Sequence, residues 1–267
     1  MTTTMMVPIG GAQISVERAG NGDAIVFLHA GVCDKRMWNK QVAELSDRFQ
    51  TVSYDRRGFG STVTTNEAFS NVDDLRALLA QLEISSAVLV GCSQGARVAI
   101  DFALLFPQLV RRLVLISPAV SGAPSPDVFP AEIQSRLDAL KEAESANDLE
   151  RVNVIEANLW LDGPLSAEGR VRGPVRTILL EMNVIALRMP ALTLEIEPIS
   201  AYERLTCLDL PVLVIWGELD FPHINERCRY LVATIANAKG IQIAGAAHLP
   251  NLEHPQQINL LLRDFFP

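Results

Sequence analysis

The 267-residue chain is 49% hydrophobic and 20% charged, with 31 acidic against 23 basic side chains and a net charge of −8. That length suits one large domain, or one domain with an elaborate insertion, and the composition excludes disordered and fibrous architectures. An acidic chain without a Lys/Arg run argues against nucleic acid as a partner, and no apolar stretch is long enough to predict a membrane span.

The N-terminal MTTTMMVPIGG has no basic segment and no long apolar core, so no secretory signal is read there. Residues 13–19 alternate and predict a strand. Residues 24–29 (AIVFLH) form a continuous apolar run, as a strand buried on both faces requires. A helix over 37–47, a strand over 51–55, a helix over 71–82, a strand over 87–91, a helix over 94–106 and a strand over 113–117 follow. The alternation then stops. Between 123 and 205 no strand is predicted; Ile133, Leu137 and Leu140 share one helical face, as do Val152, Ile155 and Leu159. Val175, Ile178, Leu179, Met182 and Ile185 do the same behind a helix start at Gly173-Pro174. Strands return at 212–216 and 240–244, each followed by a helix, at 222–236 and 255–266.

This order predicts an α/β fold with a mostly parallel central sheet and helices on both faces. Residues 1–122 and 206–267 are expected to form its core and 123–205 an all-helical insertion. The insertion holds 14 acids and 8 bases, a net of −6, and so most of the charge.

Cys33, Cys92, Cys207 and Cys228 form no CxxC pair. No metal site is expected, and free thiols point to a reducing, cytoplasmic compartment. Gly91-Cys92-Ser93-Gln94-Gly95 is a G-x-S-x-G between a predicted strand and a predicted helix, the setting of a nucleophile elbow. A serine on so sharp a turn is crowded by residues two before and two after, which must be very small. Its hydroxyl needs a base. His248, in GAAHLP after the last strand, has small neighbours. His223 and His254 read as helix-start residues, and His29 as a loop-organising residue. The base needs an acid, and Asp220 follows the strand at 212–216; its competing reading is a helix N-cap. An oxyanion hole needs two backbone donors, expected from Gln94 and Gly31. Candidate substrate-contacting residues are His29, Val32, Trp160 and Leu249, with a core role competing for Trp160.

The segments LHAGVCDKRMW (28–38), SYDRRGFGST (53–62), GCSQGA (91–96), LVIWGELD (213–220) and GAAHLPNLEHP (245–255) together resemble the α/β-hydrolase superfamily, in particular its small lid-bearing esterase, lactonase and perhydrolase-like members. The resemblance implies a lid at 123–205, a Ser93–Asp220–His248 triad, no cofactor, and a small ester or lactone as substrate for a monomer or homodimer. C–C bond hydrolysis, enol-lactone hydrolysis and cofactor-free perhydrolysis with the same triad remain open, as does a small-molecule receptor. The chain has His29-Ala30 where relatives have His-Gly. Serine at 93 argues against branches whose nucleophile is a carboxylate. Arg36, Arg57 or an insertion arginine could override the acidic charge and hold a substrate carboxylate, while Asp55, Arg56 and Arg57 read first as structural.

Overall fold

The computed structural model describes residues 2–196 and 199–266. Eight strands form one sheet: β1 (Thr2–Ile9), β2 (Ala12–Ala19), β3 (Ala24–Leu28), β4 (Gln50–Tyr54), β5 (Ala87–Cys92), β6 (Val110–Ile116), β7 (Val212–Gly217) and β8 (Ala238–Ile243). Their spatial order is β1-β2-β4-β3-β5-β6-β7-β8. β2 pairs antiparallel with β1 and β4, and every other pairing is parallel.

The helices are α1 (Asn39–Leu45), α2 (Asn71–Gln81), α3 (Gln94–Leu105), α4 (Ala131–Ser145), α5 (Leu149–Ala157), α6 (Pro174–Arg188), α7 (Pro222–Thr234), α8 (Pro250–Glu253) and α9 (Pro255–Phe265). The unbroken apolar runs of the central strands follow from burial on two sides. Val26 and Leu28 point into a core shared with Leu75 and Leu78 of α2 and Phe102 of α3. Their neighbours Ile25 and Phe27 point into the opposite core, with Val42 and Leu45 of α1 and Ile258 and Leu262 of α9. Burying each large side chain fully is worth about 1.5–3 kcal/mol, so the two layers fix the sheet's register. None of the described helices is long and apolar enough to cross a membrane.

Two features depart from the sequence reading. The first is β1, which that reading left without structure. It is the edge strand of a hairpin, turned by Gly10 and Gly11 between Ile9 and Ala12. Gly10 takes a φ of +55°, as the first position of a two-residue type II′ turn requires. The second concerns the insertion between β6 and β7, which is not helical throughout. After α6 the chain runs extended, and Glu195 bridges Phe69 in parallel through Phe69 N–H to Leu194 O (3.2 Å) and Ile196 N–H to Phe69 O (2.7 Å). Backbone pairing to the core holds this stretch, so no helical periodicity is needed. Residues 197 and 198 of the insertion lie outside the described residues.

The insertion is clasped to the core. Its Arg170 donates to Asp162 O (2.6 Å), Leu161 O (2.7 Å), Gly245 O (2.8 Å) and Glu253 Oε2 (2.6 Å). Glu253 Oε1 in turn accepts from Ala247 N–H (2.7 Å).

Candidate active site

In a parallel sheet, the loops at the carboxyl ends of the strands, where the strand order reverses, form a natural crevice. Here β3 lies between β4 and β5, and the chain leaves β3 and β5 on opposite faces. Gly31 follows β3, Ser93 follows β5, Asp220 follows β7 and His248 follows β8, so one edge of the sheet brings all four together.

Ser93 has φ +52° and ψ −115°, a backbone conformation costing about 1–3 kcal/mol for a non-glycine residue. Its N–H donates to Ile116 O (2.9 Å) and its C=O accepts from Arg97 N–H (3.1 Å), which hold the turn. The flanking glycines answer to contact. A Cβ on Gly91 would lie 2.6 Å from Ala96 N and Cα, and one on Gly95 would lie 2.2 Å from Leu28 O. The elbow's spacing is therefore a packing requirement between β5, α3 and the end of β3.

His248 is 2% exposed, and its Nδ1 lies 2.8 Å from Asp220 Oδ2. Asp220 Oδ1 accepts from Phe221 N–H (2.7 Å), so its carboxylate is aimed at the imidazole. With a carboxylate on Nδ1, that nitrogen carries the proton and Nε2 is left as acceptor. Phe221, not Asp220, occupies the N-cap position of α7. The other histidines are committed elsewhere. His223 packs edge-on against Phe129 and Phe221, and burial with the nearby Arg227 lowers its pKa. His254 sits at the start of α9.

Ser93 and His248 border one cavity of about 200 Å³, lined also by Ala30, Gly31, Val32, Gln94, Glu156 and Trp160. Ser93 Oγ makes no hydrogen bond to His248 among the described residues; such contacts commonly tighten only around a bound substrate. Gln94 is the first residue of α3, so its N–H has no partner within the helix. Gly31 stands across from it, with the Gln94 amide side chain 2.6 Å from where a Gly31 Cβ would be.

The family profile described as the alpha/beta hydrolase family matches residues 25–259. The chain belongs to that family. Among relatives of this alpha/beta hydrolase, the 2-(acetamidomethylene)succinate hydrolase of Mesorhizobium japonicum is 30% identical over 79% of this chain and 76% of its own. The pimeloyl-[acyl-carrier protein] methyl ester esterase of Aeromonas hydrophila is 26% identical over 95% of this chain and 99% of its own. A solved structure of a thermophilic esterase from Thermogutta terrifontis, with malate bound, is similar in fold. Its TM-score is 0.75 at 22% identity, covering 99% of this chain and 97% of that one.

Two of the residues expected to touch substrate do not reach the cavity of this alpha/beta hydrolase. His29 is fully buried; its Nδ1 lies 2.8 Å from Ala30 O, and its Nε2 accepts from Arg56 N–H (3.0 Å). Burial and the neighbouring Arg56 hold its pKa well below the usual histidine value, so it is a neutral scaffold for the loop after β3. Leu249 is fully buried in the core under the sheet, one residue past His248. Val32 and Trp160 do line the cavity. Trp160 lies against both the His248 ring (centroids 4.6 Å apart) and the Phe221 ring (4.9 Å). It sits on one turn of π-helix, Asn158–Asp162, a widened turn frequent at functional sites.

Arg36 and Arg57, both considered as carboxylate anchors, are occupied. Arg57 binds Asp74 (2.8 Å) and Glu67 (2.7 Å), and Arg36 binds Asp34 (2.7 Å). Asp55 joins Lys35 (2.7 Å) and the backbone of Ser61 (2.9 Å), which supports the loop as a structural element. Arg56 is the buried cation behind the loop after β3. It donates to His29 O (3.2 Å) and reaches Gln94 Oε1 (3.4 Å), and burial lowers its pKa to about 10. Its guanidinium stacks on Phe59 (4.7 Å). Glu156 in the cavity wall went unmarked in the sequence. The only signal was its place four residues before Trp160 on a helix.

Proposed function

We propose that this alpha/beta hydrolase cleaves small carboxylic esters or lactones through an acyl-enzyme on Ser93. The observation that carries the reading is the 2.8 Å His248–Asp220 pair, which opens on the same cavity as a serine held in a strained turn. His248 Nε2 takes the Ser93 proton as Oγ attacks the carbonyl carbon. The resulting oxyanion is held by the Gln94 and Gly31 N–H groups, each such donor being worth about 2.7–4 kcal/mol. Collapse expels the alkoxide, which takes the proton from His248. Water then attacks the acyl group with His248 again as base, the acid leaves, and Ser93 regains its proton. Asp220 holds the tautomer and the charge of the imidazolium.

In this proposal the insertion is a lid. Trp160, carried on it, closes one side of the cavity against His248. The test is turnover of p-nitrophenyl esters of increasing acyl length, and of lactones, by the wild type and Ser93→Ala. Loss of kcat by about four or more orders of magnitude in the variant is expected, since the triad acts as a unit. A fluorophosphonate probe labels the native protein and not the variant. Near-normal turnover by Ser93→Ala would overturn the assignment.

A further inference from the structure

Glu156 is the one cavity-lining residue, among those described, that carries a formal charge at neutral pH apart from any charge on His248. It projects from the last turn of α5 into the cavity that Ser93 and His248 border. A carboxylate removed from water is costly unless a cation or several donors compensate it. Glu156 takes part in no ion pair among the described residues. Its one hydrogen-bond donor there is a neutral amide, Asn183 Nδ2, 2.6 Å from Oε2. That amide is itself fixed, because Asn183 also donates to Asn153 Oδ1 (3.0 Å), and Asn153 donates to Leu180 O (3.0 Å). The carboxylate is thus held rigidly between α5 and α6 with capacity to spare on the cavity side.

Two further observations give this carboxylate a direction. Trp160, four residues on, borders the same cavity, so an aromatic face and an anionic oxygen share one small space. That is the pairing that attracts organic cations. Among the described residues no Lys or Arg lines the cavity, and Arg56, buried behind the loop after β3, donates to His29 O and Gln94 Oε1. Burial, with the nearby Glu144 charge adding to it, raises the Glu156 pKa against the opposing pull of Asn183, as for a carboxylate that lacks a cationic partner. A bound cation would reverse that shift.

We propose that Glu156 and Trp160 form a recognition site for an organic cation, so that the preferred substrate is a small ester or lactone carrying a positively charged ammonium group. This rests on Ser93 being the nucleophile. Glu156 sets which substrate is accepted and takes no part in the bond-making steps. Substrates with a free carboxylate at this position are disfavoured, because two anions would share a cavity of about 200 Å³.

The test uses two readouts on the full chain. The first is kcat/KM for choline acetate against its uncharged isostere 3,3-dimethylbutyl acetate. The second is the rate of fluorophosphonate labelling with tetramethylammonium or tert-butanol present. The wild type should favour the charged ester by about tenfold or more, and tetramethylammonium alone should slow labelling. Glu156→Gln keeps the side chain's shape and its acceptor for Asn183, and should bring the ester ratio close to one. Selectivity in either readout that collapses in Glu156→Gln supports the proposal. Selectivity that survives the substitution, or its absence from both wild-type readouts, overturns it. The wild-type measurements stand even if the variant folds poorly. Failure of the probe to label wild type refutes Ser93 as the nucleophile, and the recognition site then falls with it.

Discussion

Gly95 offers a stringent check on how the elbow works, because the reason for glycine there is a contact and not a dihedral angle. A methyl group at Gly95 would sit 2.2 Å from Leu28 O, 2.5 Å from Leu28 C and 2.7 Å from His29 O. All three are backbone atoms, so no side chain can swing aside. Reaching even 3.0 Å from Leu28 O requires α3 and the end of β3 to separate by about 0.8 Å. Overpacking of this kind costs about 1–3 kcal/mol. The separation falls between the two elements that carry the proposed oxyanion donors, Gln94 N–H and Gly31 N–H. A misplacement near 1 Å costs about a hundredfold in rate. Gly95→Ala is therefore expected to lose about two orders of magnitude in kcat/KM, with a lowered urea midpoint. Gly173→Ala is the comparison. At φ +68° and ψ −148°, a region nearly reserved for glycine, with nothing within 4 Å, it should lose about 1–3 kcal/mol of stability without the rate penalty. If Gly95→Ala keeps kcat/KM within about threefold of wild type and unfolds at the same urea concentration, the packing argument for the elbow is wrong.

Other outcomes follow from the same geometry. Asp220→Asn should leave the fold intact and cut kcat by about 10⁴, because an amide favours the wrong imidazole tautomer; steady-state kinetics beside an unchanged melting curve would show it. Asp101, bonded to Ser121 (2.7 Å), has its pKa raised to about 6, chiefly by burial. Because the folded pKa exceeds the unfolded one, its contribution is most favourable at low pH and declines as pH rises from about 4 through about 6. Urea midpoints measured across that range should therefore fall less steeply in Asp101→Asn than in wild type, and parallel curves would contradict this. Iodoacetamide on the native protein should modify exposed Cys207 and spare buried Cys33, Cys92 and Cys228, whose thiols burial pushes well above their usual range. Mass spectrometry of a tryptic digest reads the sites, and early labelling of Cys92 beside the elbow would count against the packing described.

The sheet and its paired helices were legible in sequence because each central strand is buried on both faces and reads as an unbroken apolar run. The elbow was legible because its glycines answer to contacts within a few residues of the serine and with the end of β3. Long-range features left weaker marks. β1 is held by backbone pairing to β2 and largely exposed, so its hydrophobic pattern was faint, although Gly10-Gly11 marked the turn. The bridge from Glu195 to Phe69 joins segments over 100 residues apart with no local signature. Trp160 reads as core and does pack on Phe221, yet the same ring flanks His248 and borders the cavity, which only the fold shows. Leu249 and His29 carried the opposite error, since adjacency in sequence to a site residue placed neither at the cavity surface. The insertion's net charge was plain, but not that one of its acids, Glu156, turns toward the serine.

The Arg170 clasp bears on how far the inserted segment can be exchanged between relatives. One guanidinium ties its backbone to Gly245 and to Glu253, and Glu253 holds the Ala247 amide immediately before His248. A graft that brought a foreign segment without this arginine would strand the Glu253 carboxylate without its cation and loosen the histidine's own loop. Exchanging the segment thus requires keeping an arginine at 170 to meet Glu253, because in this molecule the inserted segment is also a brace for the loop that carries His248.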